Sequence, residues 1–315
     1  MRLLFIADPL ESFKVHKDST YAMMAEAARR GHALYAMVAE GLAWRDGRVH
    51  GQCAEVHLTG GDPWFTRAEP AWRDLAGFDA VLMRKDPPFD QGYLTATWLL
   101  DMAERGGARV YNRPAALRDY NEKLAIARFA EFIAPSLVSA DATLIRAFLA
   151  EQGDIIVKPL DAMGGAGIFR LRPGDPNLGA ILETATRHGR VAVMAQRYLP
   201  EIADGDKRIL LIDGAAVPYC LARIPAQGET RGNLAAGGTG VARPLTARDR
   251  DIAAALGPPL RAAGLLLVGL DVIGAHLTEV NVTSPTCFRE ISAQTDCDVA
   301  ALFVDALERV VRERM

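Results

Sequence analysis

Apolar residues along the chain alternate between short continuous runs and helix-period stripes. Residues 3–7 are an unbroken apolar run that ends at Asp8, the pattern of a buried strand. Asp18 or Ser19 then caps a helix whose stripe includes Tyr21, Met24, Ala25 and Ala28 and which stops at Gly31. A strand over 33–38 follows, and an Asp-Gly pair inside 44–49 predicts a hairpin. Residues 80–84, a helix over 94–105 and a strand over 109–111 complete an open α/β sheet. In such sheets ligands sit outside the strand ends, here near Asp8 and Arg84.

Beyond residue 120 the pattern changes. A helix over 122–132, a break at Pro135 and a helix over 141–152 precede a strand at 154–158. A glycine-rich loop, a strand at 168–171, a helix near 178–188 and a strand at 191–195 come next. The last third predicts strands at 208–212 and 217–223, a glycine-rich loop over 225–240, a helix over 246–263, a hairpin over 265–282 and a C-terminal helix. No internal repeat or low-complexity tract interrupts this order.

Composition adds mainly exclusions. The 315 residues exceed one ordinary core and suggest two or three domains. A net charge of −3 gives no support for a nucleic-acid partner. No stretch approaches the roughly 20 apolar residues of a membrane span, and the N-terminal run is too short for a signal-peptide core. Four scattered cysteines without a C-x-x-C pair predict reduced thiols in a cytoplasmic protein.

Three patterns carry chemistry. In 155–169 a buried strand ends at Lys158, and a loop containing Gly164, Gly165 and Gly167 leads back into apolar sequence. Glycines let backbone N–H groups approach phosphate oxygens, and the lysine adds a point charge. The segment is neither a Walker A loop nor a dinucleotide fingerprint, because no helix opens at the glycines. In 270–281 a three-residue hairpin loop at 274–276 would set Asp271 opposite Glu279, with Asn281 on the same face. Such hard oxygen donors suit Mg²⁺, with phosphates and water completing its shell. The third pattern is a set of cations: Arg84, Lys85, Lys123, Lys207, Arg208, Arg223 and Arg231, the last close to Asn233. Together they suit a site for a polyanion, where phosphoryl transfer relies on positioning and charge neutralisation. No nucleophile–base–acid arrangement is visible, so a Mg-nucleotide is the expected activator.

The segments KDSTYAMMAEAARRGH, LMRKDPPFD, NRPAALRDYNEKL, IIVKPLDAMGGAGIF, MAQRYLPEIADGDKRIL, PYCLARIPAQGETRGNLAAGG and VGLDVIGAHLTEVNVTSPT resemble the bacterial-type glutathione synthetases of the ATP-grasp superfamily. They run in order from about residue 8 to residue 290. The lysine-strand and D…E-x-N motifs are shared by many ATP-grasp ligases, whereas MRKDPPFD, RGNLAAGG and NVTSPT are close to this one family.

The resemblance implies an ATP-grasp fold with an N-terminal open α/β domain over 1–119, a lid domain over 120–202 and a catalytic domain over 203–315. It implies ligation of γ-glutamylcysteine to glycine with ATP and Mg²⁺ (or Mn²⁺) through an acyl phosphate. By position, Lys123, Lys158, Gly164, Gly165, Gly167, Lys207 and Asn233 would hold the nucleotide, and Gln196, Tyr198 and Leu199 would line the adenine pocket. Asp271, Glu279 and Asn281 would carry the metal, while Arg208 and Arg223 would stabilise the transferring phosphoryl group. Asp18, Ser19, Arg84, Arg231, Ser284, Pro285 and Thr286 would hold peptide and glycine. A homo-oligomer, a tetramer, is implied as well. One departure stands out: the family's loop often ends Gly-Gly-Arg-Gly, and Thr239 replaces that arginine here, which bears on loop closure. Two other readings share part of the pattern. A different ATP-grasp ligase would keep Lys158 and Glu279 without a reason for MRKDPPFD. A non-catalytic nucleotide sensor would not need the metal triad with both arginines.

Overall fold

The computed structural model describes residues 1–313 apart from Thr230, Asn233, Ala235 and Ala236. Three sheets account for its strands. In the first, Ala33–Met37, Arg2–Ile6, Ala80–Met83 and Val110–Tyr111 run parallel, and Arg48–Leu58 extends the sheet antiparallel through Ala33–Met37. Strand order reverses beside Arg2–Ile6, so its end and that of Ala80–Met83 border a switch point. Asp8 and Arg84 stand there as expected, with Lys85 Nζ 3.3 Å from the Asp8 carboxylate.

The Asp-Gly hairpin forms between Leu42–Arg45 and Arg48–Leu58, with Asp46 and Gly47 both at positive φ. Asp18 is the cap of the helix Ser19–Arg29, accepting from Tyr21 N. The buried stripe is displaced from the expected one: Met23, Met24 and Ala27 are sealed, whereas Tyr21, Ala25 and Ala28 are only partly covered. The helix is sandwiched between its sheet and the C-terminal helix Val299–Glu313, so its apolar face follows both neighbours.

The second sheet is antiparallel, in the order Phe169–Leu171, Ile155–Pro159, Val193–Arg197, Ser136–Ser139. It has its own small core, where Ile145 and Leu149 of one helix and Leu182 of another meet Ile155, Val157 and Val193. The third, also antiparallel, runs Thr239–Pro244, Ala215–Ile224, Asp206–Ile212, Leu267–Ile273, His276–Asn281. Its residues Ile209, Leu270 and Val280 share a core with Leu4, Ile6 and Val81 of the first sheet. The first and third sheets are thus fused by apolar burial, and the second stands on its own core.

Several expectations shift. Residues 122–132 do not form a regular α-helix: Leu124–Phe132 is 3₁₀ with a kink at Phe129. Ala125, Ile126 and Phe129 must all reach the core beside the hairpin, and tertiary packing overrides helix propensity. The strands Ser136–Ser139 and Thr239–Pro244 were hidden in segments that read as a break and a loop. The final hairpin turns on two residues, since Ile273 pairs with His276, and a bulge by Thr278 restores Asp271 opposite Glu279. All four cysteines are free thiols. Among the described residues no helix is long and apolar enough to cross a membrane.

Candidate active site

A cavity of about 360 Å³ opens where the three sheets meet. Its floor is the third sheet. On the strand Asp206–Ile212 the period of two turns Asp206 and Arg208 toward the cavity and Lys207 away. Lys207 is therefore not a nucleotide contact: its Nζ is committed to the buried Asp249 carboxylate and to Gly274 O at 3.0 Å. Asn233, also expected at the nucleotide, lies outside the described residues.

Four buried charges form the centre of the floor. Arg208 donates to both Asp271 oxygens, Nε to Oδ1 at 2.5 Å and Nη2 to Oδ2 at 3.1 Å. Arg223 reaches Asp271 Oδ2 at 2.8 Å and Asp206 Oδ2 at 2.5 Å. Burial opposes ionisation of Asp271, but the two guanidiniums outweigh it and hold this carboxyl well below the usual range. Asp206 goes the other way: burial raises it, the Arg223 charge opposes, and the neighbouring Asp271 and Glu279 raise it further. Its Oδ1 has no hydrogen-bond partner among the described residues. Gly269 makes room for this cluster, since a Cβ there would stand 2.8 Å from Arg208 Cδ.

Two further cations come from other elements. Lys123 Nζ donates to Ala162 O at 2.5 Å and Lys158 Nζ to Thr278 O at 3.1 Å. Both stand 3.7 Å from Glu279 Oε1 and both are buried. Burial depresses Lys158, and the Glu279 charge opposes that shift. Gly164, Gly165 and Gly167 all take positive φ, and a Cβ on Gly167 would stand 2.8 Å from Pro159 Cγ, so the loop folds tightly back on its strand. Gly164 and Gly165 line the cavity, and Arg231 Nη1 reaches Gly165 O at 3.4 Å while pairing with Glu229.

An apolar slot lies beside these cations. Ala134, Ile156, Ile168 and Ile202 line it together with Gln196, Tyr198 and Leu199. Gln196 Nε2 donates to Ser136 Oγ at 2.9 Å, and the Arg170 guanidinium lies 3.4 Å from the Tyr198 ring centre. At the opposite end Arg84 is buried, with Nε on Thr20 Oγ1 at 3.2 Å and Nη2 on Pro285 O at 3.0 Å. Ser284 Oγ donates to Arg84 O, and Ser284, Pro285 and Thr286 line the cavity. Arg84, Asp18 and Ser19, all expected at the substrate, are not on the cavity wall. Asp18 caps its helix, and Ser19 Oγ accepts from Phe288 N at 3.2 Å, so both brace this corner.

The residues present fit a hard divalent cation. Asn281 spends its amide nitrogen on Gly269 O, which leaves its side-chain oxygen uncommitted. Glu279 is one-fifth exposed, makes no side-chain hydrogen bond among the described residues, and stands 3.7 Å from its two lysines. Among the described residues no three of His, Cys, Asp and Glu alone could hold a metal. A cation here would take Asn281 and phosphate oxygens beside the carboxylates.

The prokaryotic glutathione synthetase N-terminal domain model matches residues 1–118, and the prokaryotic glutathione synthetase ATP-grasp domain model matches 122–296. The chain belongs to this family. It is 60% identical to the glutathione synthetase of Ralstonia nicotianae over 310 residues, 98% of this chain and 96% of the relative. It is 59% identical to that of Nitrosomonas europaea over 318 residues, 100% and 99% of the two chains. Among solved structures, the D-cycloserine synthetase DcsG superposes with a TM-score of 0.67 at 18% identity, covering 98% of this chain and 99% of that one. The ATP-grasp ligase PsnB in complex with minimal precursor, Mg and ADP gives 0.64 at 19%, covering 98% of each. The fold is accordingly ATP-grasp, and the chain is an ATP-dependent ligase that forms a C–N bond in glutathione synthesis.

Sequence reasoning missed three residues of this site. Asp206 was recoverable, because it shares the face of Arg208 two residues on. Gly269 carried the signal of a glycine inside an apolar strand. Glu122, whose carboxylate grips Val282 and Thr283, had no local signal.

Proposed function

We propose that the cavity joins the cysteinyl carboxylate of γ-glutamylcysteine to the amine of glycine, consuming ATP. The observation that carries this reading is the convergence at residues 279–286 of phosphate-side cations (Lys123, Lys158), a two-arginine floor and a polar acceptor segment. The apolar slot at 196–199 takes the adenine, and Lys123 and Lys158 neutralise the phosphates under the loop carrying Gly164, Gly165 and Gly167. Asp271, Glu279 and Asn281 hold Mg²⁺ or Mn²⁺, which supplies charge neutralisation along the phosphates when bound. Arg208 and Arg223, held rigid by Asp206 and Asp271, stabilise charge on the transferring phosphoryl group and on the tetrahedral intermediate that the amine forms. Ser284–Thr286 hold substrate carboxylates, and Arg84, Asp18 and Ser19 fix that wall from behind. Arg231 helps close the site.

Three units, 1–119, 120–202 and 203–315, divide this work; the separate core of the second sheet supports its role as a lid. The enzyme acts in the cytoplasm as a homo-oligomer, a tetramer. The test is direct: purified protein with ATP, Mg²⁺, γ-glutamylcysteine and glycine yields glutathione, ADP and phosphate in equal amounts. ADP formation with no tripeptide product refutes the assignment.

A further inference from the structure

We propose that Glu122 receives the ammonium group of the amino-acid acceptor. The inference rests on the reading above, in which glycine docks along the segment after Asn281.

One oxygen of this carboxylate is fully employed: Oε1 accepts from Val282 N at 3.1 Å, Thr283 N at 3.2 Å and Thr283 Oγ1 at 2.8 Å. The other makes no hydrogen bond among the described residues, and Glu122 lines the cavity. No Lys or Arg among the described residues stands within ion-pair distance of it, since the neighbouring Lys123 turns to Glu279. A largely desolvated carboxylate with no cation is costly, and burial does push Glu122 up, against the pull of its Thr283 hydrogen bonds. A cation brought by substrate offsets that cost.

The location selects which cation. Glu122 grips Thr283, two residues beyond Asn281 and one before Ser284, so it stands between the phosphoryl end and the acceptor segment. The attacking amine must pass through this junction to reach the acyl carbon. Arg84 complements it: a buried guanidinium with no carboxylate at ion-pair distance among the described residues, bonded to Pro285 O. Thr283 and Pro285 are two residues apart, roughly 7 Å of extended chain. The fully buried Tyr93 hydroxyl, without a hydrogen-bond partner among the described residues, senses the charges of both Glu122 and Arg84. Glu122 alone of these groups lines the cavity, and a wall carboxylate without a protein cation at ion-pair distance among the described residues matches the ammonium of an amino acid.

The test uses full-length Glu122→Gln, whose side-chain oxygen keeps the three accepted hydrogen bonds while the charge is lost. With ATP, Mg²⁺ and γ-glutamylcysteine saturating, KM for glycine rises at least tenfold, and KM for ATP and for γ-glutamylcysteine stays within about twofold. Hydroxylamine is uncharged at neutral pH and captures acyl phosphates, so its hydroxamate yield stays within about twofold. An unmoved glycine KM, a rise in the γ-glutamylcysteine KM instead, or an equal loss with hydroxylamine overturns the proposal. Should the variant not fold, the wild-type enzyme decides. Aminomethylphosphonate, which keeps the ammonium, competes with glycine at least tenfold better than glycolate, which lacks it; equal competition overturns the proposal. A wild-type enzyme that makes no glutathione overturns the parent reading as well, whereas normal wild-type product with an unmoved glycine KM overturns the Glu122 role alone.

Discussion

Asp271 and Glu279 face each other across the hairpin, and replacing each by its amide separates folding from chemistry. Asp271 is 2% exposed and receives three guanidinium hydrogen bonds, from Arg208 at 2.5 and 3.1 Å and from Arg223 at 2.8 Å. In Asp271→Asn two arginines remain buried with only Asp206 as counter-charge, and an amide N–H₂ replaces one acceptor. Arginine cannot shed its proton, so the uncompensated charge stays. Breaking a buried pair in this way costs about 3–5 kcal/mol, or a fall in melting temperature on the order of 10 °C for a chain of this size. Glu279 differs on each count: it is 21% exposed and its lysines sit at 3.7 Å. In Glu279→Gln both lysines keep their backbone carbonyl partners, and the longer, partly exposed ion pairs that are lost contribute only about 1 kcal/mol. Thermal melts of both variants without ligand, alongside glutathione formation with ATP and Mg²⁺, measure the contrast. Both variants lose turnover by at least a hundredfold, and only Asp271→Asn loses much stability. The reasoning fails if Glu279→Gln melts as low as Asp271→Asn, or if folded Glu279→Gln turns over near the normal rate.

Three further outcomes are expected. Glu26, held down at about 2 by Arg29 first and Arg30 next, ties the helix Ser19–Arg29 into its contact with Val299–Glu313. Its native carboxyl titrates below its unfolded one, so its stabilisation is complete above about pH 5 and is lost as pH falls through 4 toward 2. Glu26→Gln costs about 1–2 kcal/mol at pH 7 in urea unfolding, and the gap to the parent closes by pH 2. Shortening the segment 225–238 opens the cavity to water, so ATP hydrolysis uncouples from peptide formation; a variant that keeps one ADP per glutathione argues against a protective lid. A close wall at 282–286 discriminates one methyl by only about 1–3 kcal/mol, so alanine works poorly but measurably and leucine not at all. Equal rates with glycine and leucine refute that wall.

The first sheet and the hairpin pairing were legible because a continuous apolar run and strict alternation survive any tertiary context. Asp271 opposite Glu279 emerged in the right register although the turn is one residue shorter than expected, because the bulge by Thr278 absorbs the difference. Residues 122–132 misled for the opposite reason. Their helical period is genuine, yet Ala125, Ile126 and Phe129 must be buried together, and a kink at Phe129 does what an ideal helix cannot. At the site, Lys158 and the glycines announced themselves through local chemistry. Lys207 did not belong, since a run of Asp-Lys-Arg on a strand can send only alternate residues to one side, and its charge was needed by Asp249. Glu122 was illegible because its meaning lies in two backbone N–H groups 160 residues away.

Those two N–H groups belong to the segment on which the whole site depends. Val282 donates to Glu122, its carbonyl accepts from Asn112 Nδ2 at 2.8 Å, and Pro285 O accepts from Arg84. Glu279, three residues earlier, faces Lys123, just before the 3₁₀ segment Leu124–Phe132, and Lys158 of the second sheet. The segment 279–285 is thus held by side chains from the first sheet, from residues 122 and 123 and from the second sheet, although the hairpin itself contributes only Gly269, Leu270 and Asp271 as strand partners. A ligation needs the acyl carbon, the phosphoryl group and the amine aligned to within a fraction of an ångström, and such alignment is lost when any supporting group moves by about 1 Å. On the proposed division into three units, this anchoring would make lid position felt directly at the amine. The two lysines are the part of that anchoring that can change. Lys123 and Lys158 both face Glu279 at 3.7 Å, and on the proposed assignment a nucleotide would compete for them and so alter the electrostatic environment of the segment proposed to dock the acceptor.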